Sequence, residues 1–261
     1  MFTRETLVVD GPLAFRSQRT AAARECRLGR DILTLPLLAA RLAGGFITPA
    51  GTDVLYPAIQ AALAAGGFHD IGRVASLPGM PRALLQSLDA AWRADIDLSS
   101  LPQEVGRFAD LHLVEKRIRD HLPPSRLLHG DLRNEALARV SLANVLLGPV
   151  TLAGIVDVDP IWRPLLNAIA RFTEVAWDMP GKVECGWFDG NARSRAPSSP
   201  SRLTAEVSAD PKSEVVEALR WVRELLASGE VKAEQIAIAA TATPDWDEHF
   251  LAYARDAALP L

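Results

Sequence analysis

The sequence predicts an α/β fold: a parallel-sheet unit that carries a large all-helical insertion, followed by the start of a second α/β unit. Three observations predict it. Short apolar runs alternate with helical periods through residues 5–45. Residues 48–147 then show helical period alone. The alternation returns at Val150 and continues to the end of the chain. The expected domains are 1–47 with 148–180, the insertion 48–147, and a second unit 202–261.

Residues 5–9, ETLVV, read as a strand. A helix follows from Ser17, a plausible N-cap, to a stop at Gly29. Ile32 and Leu33 give a second strand. Thr34 then caps the helix LPLLAARLA, which ends at Gly44-Gly45. In the insertion, AIQAALAAG, MPRALLQSLDAAWRAD, EVGRFADLHLVEKRIRDHL and DLRNEALARVSLANVLL are all helical in period, with no β-rich run between them. VTLAGIV is a strand, Pro160 to Phe172 a helix, and TEVAW a strand. GNARSRAPSSPS reads as a mobile loop, because Gly, Ser and Pro favour irregular backbone. RLTAEVS is a strand. Asp210-Pro211 opens a helix whose apolar face holds Val215, Ala218, Leu219, Val222 and Leu226 and which stops at Gly229. QIAIAA is a strand, Pro244 to Ala257 a helix, and LPL the start of a further strand, as if the chain were a fragment of something longer.

Composition excludes several classes. With 261 residues, 49% hydrophobic, the chain can bury a sizeable core. A net charge of −4 argues against nucleic-acid binding by the whole surface, though not against a local basic face. Cys26 and Cys185 have no metal or disulfide spacing. The N-terminus has no basic-then-apolar signal, and no apolar run reaches the roughly 20 residues of a membrane span. A reduced, cytoplasmic protein is expected, with no cofactor.

The stretch 128–160 offers three catalytic readings. His129-Gly130-Asp131 resembles a kinase catalytic loop, but such a loop needs a metal-binding Asn five residues after its Asp, where this chain has Ala136. Leu132, Ala136, Leu137, Val140, Ala143 and Leu147 share one helical face, so Asp131 is better read as an N-cap. Asp157-x-Asp159 ends an apolar strand, as Mg²⁺-binding carboxylates often do. It would serve a metal-dependent transferase or hydrolase; capping by Asp159 ahead of Pro160 is the simpler reading. A RecB-type nuclease would need its second acid and lysine on the next strand, whereas Asp210-Pro211-Lys212 opens a helix. No GxxxxGK[ST] run exists; GPLAFRS lacks the lysine. The five histidines form no metal or triad spacing, and His112 reads as an ordinary helix residue.

Four segments, in order, resemble the helicase-derived region of AddB-type subunits of bacterial helicase–nucleases and, more distantly, UvrD-like superfamily-one helicases. SQRTAAARE resembles the helicase Ia segment and ILTLPLLAARLAGG the Ib segment. VTLAGIVDVDPIWRPLLNAIARFTEVAW resembles the strand, helix and strand around a Walker-B position. ADPKSEVVEALRWVRELLASGEVKAEQIAIAA resembles the start of the second helicase-like domain. The resemblance implies a RecA-like first unit and a degenerate scaffold for DNA repair or recombination without ATP turnover, since no phosphate cradle is present. It also implies single-stranded DNA as a weakly bound partner, a helicase partner subunit, and DNA contacts at Ser17, Gln18, Arg19 and Thr34. Pro36-Leu37 departs from the polar residues of the Ib pattern.

Overall fold

A computed structural model describes residues 4–179, 185–194, 204–229, 231–240 and 243–256. The elements run β1 (Glu5–Val8), α1 (Gly11–Arg24), β2 (Arg30–Leu33), α2 (Leu35–Leu42), β3 (Thr48–Pro49), α3 (Thr52–Ala64), α4 (Met80–Arg93) and α5 (Gly106–His121). They continue with β4 (Arg126–Leu127), α6 (His129–Ala138), α7 (Ala143–Leu147), β5 (Val150–Ala153), α8 (Arg163–Ala170), β6 (Val175–Met179), β7 (Asn191–Ser194), α9 (Pro211–Ser228) and α10 (Thr243–Asp256). The chain divides into two compact units, residues 1–198 and 199–261.

In the first unit five parallel strands lie in the order β2-β1-β5-β6-β7. The α/β class expected from the alternation is therefore present. Alternate residues of each strand point to opposite faces. Thr6, Val8, Val150, Leu152, Val175 and Trp177 are buried, while Leu7, Thr151 and Ala153 are half-buried. One face is thus well covered, by Leu38 and Leu42 of α2, Leu132 and Ala136 of α6, Leu147 of α7 and Leu165, Leu166 and Ile169 of α8. The Thr6 hydroxyl donates to the Leu147 carbonyl at 2.7 Å and ties α7 to the sheet. Right-handed crossovers place α1 on the other face, because β1→β2 and β5→β6 step in opposite directions. Accordingly α1 adds nothing to this core and has no fully buried residue.

Residues 50–128 build a second core. Leu55, Ile59 and Leu63 of α3 meet Leu84, Leu88 and Trp92 of α4 and Val114 and Ile118 of α5. Buried Asp110 accepts the backbone N–H groups of His69, Asp70 and Ile71, each at 2.8 Å, and so fixes the α3–α4 connection. Glu115 accepts the Trp92 indole N–H at 2.7 Å and a bond from Arg119 at 3.2 Å. Arg119 also pairs with Asp131, joining α5 to α6.

Several expectations need correction. The first helix starts at Gly11, six residues before Ser17, because Gly11 turns the chain at φ +72° and Pro12 presets helical φ. Ser17 is an exposed residue inside this helix rather than a cap. Asp131 is not an N-cap either: α6 begins at His129, and the Asp131 carboxylate is taken by Arg119. The long helix expected through residue 147 breaks at Arg139 into a 3₁₀ turn and then α7, though Leu132, Ala136, Ala143 and Leu147 are all buried as its apolar face predicts. The helical stretch holds a short parallel ladder, Thr48 with Arg126 and Pro49 with Leu127. Residues 191–194 of the expected loop form β7, an exposed edge strand; residues 195–201 lie outside the described residues.

In the second unit the described parts of RLTAEVS and QIAIAA, residues 204–208 and 236–240, have no regular secondary structure and join no ladder among the described residues. Backbone pairing requires a neighbour strand, which apolar alternation alone does not supply. The Asp210 cap is present, accepting the Ser213 N–H at 2.7 Å, and Gly229 ends α9 at φ +69°. Val215 and Leu219 of α9 pack against Ala254, Phe250 and Tyr253 of α10. The LPL segment lies outside the described residues. Among the described residues no helix is long and apolar enough to cross a membrane.

Candidate functional site

The sheet order reverses between β1 and β5. A crevice opens beyond the carboxyl ends of such strands, because the connections on either side run away in opposite directions. Here it has a volume of about 430 Å³ and is walled by Val9 to Pro12 after β1, Thr34 to Leu37 after β2, and Ile155, Asp157, Asp159 and Trp162 after β5. Arg93 and His129 close its far side. The same two residues line a neighbouring cavity of about 380 Å³ between α3, α4 and α6, with Leu55, Leu85, Trp92 and Leu128 as apolar walls.

The crevice is polar in an uneven way. Asp157 is largely exposed, and its Oδ1 accepts the Val158 N–H at 2.8 Å and lies 3.4 Å from Arg163. Arg163 is held in turn by the Val158 carbonyl at 2.9 Å and the face of Trp187. Asp159 stands at the start of a 3₁₀ turn, yet its carboxylate makes no capping bond. Burial pushes its pKa above the ordinary 3.8, with Arg93 opposing. The His129 ring lies 5.4 Å from Trp162, and burial holds its pKa below 6.5 against the pull of Asp89. Its Nδ1 is buried without a hydrogen-bond partner among the described residues. Among those residues no three His, Cys, Asp or Glu side chains are arranged to hold a metal ion.

Of the four residues read as DNA contacts, Thr34 lines the crevice, whereas Ser17, Gln18 and Arg19 are exposed on α1. Arg19 lies over the Phe15 ring, 5.3 Å from its centroid, in a groove of about 360 Å³ between α1 and β2. Arg16 and Arg24 are exposed on the same helix, which contains no acidic residue. Neighbouring arginines are engaged: Arg27 with Glu25, Arg30 with Glu5, and Arg4 and Arg41 with Asp31. No such ion pair involves Arg16, Arg19 or Arg24 among the described residues. The helix expected from Ser17 to Gly29 leaves Arg16 out and includes Glu25, so the acid-free arginine face follows only from the start at Gly11. Asp10, Arg93 and His129 come from distant segments and meet only through the fold.

A scan of the sequence against models of protein families gives no match, and a search among curated proteins gives none either.

Proposed function

We propose that this chain is a helicase-like scaffold that holds single-stranded DNA along α1 and does not turn over ATP, as part of a DNA repair or recombination assembly. The observation that carries this reading is α1 itself. It is a helix of 14 residues with no acid and no fully buried side chain, carrying three arginines free of ion pairs among the described residues. Such a face suits a phosphate backbone, where guanidinium groups make charge-assisted contacts. The four-segment resemblance to AddB-type subunits supports the same reading. The crevice is a poor phosphate site: Asp10, Asp157 and Asp159 repel an anion, and Pro12 has no N–H at the position where a triphosphate cradle needs donors. The strand is therefore assigned to α1, with Thr34 at the rim of the crevice.

Fluorescence anisotropy with oligo-dT tests this reading. Binding at low salt that weakens in Arg16→Glu supports it, and a wild-type chain that does not bind sinks it. A metal-dependent transferase or hydrolase is the second reading, favoured by Asp157 and Asp159 lining one cavity. Its signature would be Mg²⁺- or Mn²⁺-dependent turnover abolished by Asp157→Ala.

A further inference from the structure

We propose that an acidic groove on the second unit receives helix α1 of a second copy of this chain. The groove has a volume of about 540 Å³ and lies between α9 and residues 204–208. The spacing of Glu214, Glu217, Trp221 and Glu224 puts all four on one face of α9. Glu206 adds a further carboxylate from the segment before α9, and Arg220, paired with Glu217 at 2.5 Å, is the one base in the lining. Trp221 is 57% exposed and lines the groove, so apolar surface accompanies the charge.

The occupant is indicated by complementarity within the same sequence. On α1, Leu13, Arg16, Thr20 and Arg24 fall on one stripe at spacings of three and four. Leu13 is 81% exposed, and both arginines face solvent. Arg16 to Arg24 spans about 12 Å of helix axis, and Glu214 to Glu224 about 15 Å, at the helical rise per residue. Two guanidinium groups can therefore face the carboxylate row while Leu13 meets Trp221. The carboxylates take the place that phosphates would occupy on α1. The association itself does not depend on the nucleic-acid reading; the expectation that DNA competes with it does.

Sedimentation velocity of the full chain tests the proposal. Species heavier than the monomer are expected at about 50 mM NaCl and lost at about 500 mM, where exposed charges are screened. Arg16→Glu/Arg24→Glu and Glu217→Lys/Glu224→Lys should each abolish association, since each leaves like charges facing. All four positions are solvent-accessible, so both variants should fold, and circular dichroism verifies it. Mixing the two variants restores opposite charges across the contact and should restore association. A wild-type chain that stays monomeric at low salt overturns the proposal. So does association that either variant leaves intact, or a mixture that stays monomeric. Oligo-dT should dissolve the association; a chain that associates but binds no oligo-dT would refute the DNA reading and leave this one standing.

Discussion

His129 lies against Trp162, with ring centroids 5.4 Å apart and planes tilted by 56°, at the junction between the helical stretch and the sheet. The imidazole is the first residue of α6, and burial, with the Arg93 guanidinium, disfavours its protonation. A depressed folded pKa has a definite consequence for stability. Above pH 6.5 both folded and unfolded chains carry a neutral imidazole. Below it the unfolded chain binds the proton first, so stability falls as pH drops toward the folded value. Melting temperature should therefore decline between pH 7 and the depressed pKa, and His129→Gln should flatten that decline. An identical slope in the variant would show that His129 is not its source.

Asp159 has the opposite sign. Its raised pKa means that the charged form is penalised in the folded chain, so its contribution is favourable at low pH and lost as pH rises from 3.8 through the folded value. With no capping bond to lose, Asp159→Asn should raise the melting temperature slightly at pH 7. Asp159→Ala costing about 1 kcal/mol while Asp159→Asn is silent would restore capping as its role, because Asn caps as well as Asp. If instead the wild type shows a Mg²⁺-dependent rise that Asp159→Asn removes, the metal reading gains.

Asp110 supports the second core through three backbone amides. Asp110→Ala leaves those donors buried without a partner and should cost about 3 kcal/mol or more. Urea unfolding measures it; a loss below about 1 kcal/mol would mean that water replaces the carboxylate.

The legible part of this chain was set by local chemistry. β1, β2, β5 and β6 stand at the apolar runs, α3, α4 and α5 follow their 3.6-residue period, and Asp210 and Gly229 bound α9. The start of α1 was misplaced because Asp10-Gly11-Pro12 has turn composition, yet the same residues launch a helix directly from a strand. β7 was hidden in a polar stretch, since an exposed edge strand needs no apolar face. Residues 204–208 and 236–240 have strand composition, but pairing depends on what lies beside them. The crevice joins positions 10, 34, 93, 129 and 159, and that junction is a product of sheet order rather than of any local pattern.

ATP turnover should be absent. Asp10 and Pro12 stand at the turn after β1, where a phosphate cradle would need amide donors. Purified chain with Mg²⁺ should release no phosphate above buffer, with or without oligo-dT. Turnover that Asp10→Ala alters would contradict this.

DNA binding by α1 is measured most directly as oligo-dT affinity against NaCl concentration for the wild type and for Arg16→Glu/Arg19→Glu. Three phosphate contacts on a single strand predict a slope of log affinity against log salt of about −2. The wild type should show that slope, and the variant should bind little at low salt. A wild-type chain that does not bind, or a variant that binds with the same affinity and slope, would contradict the assignment of α1 as the DNA-binding face.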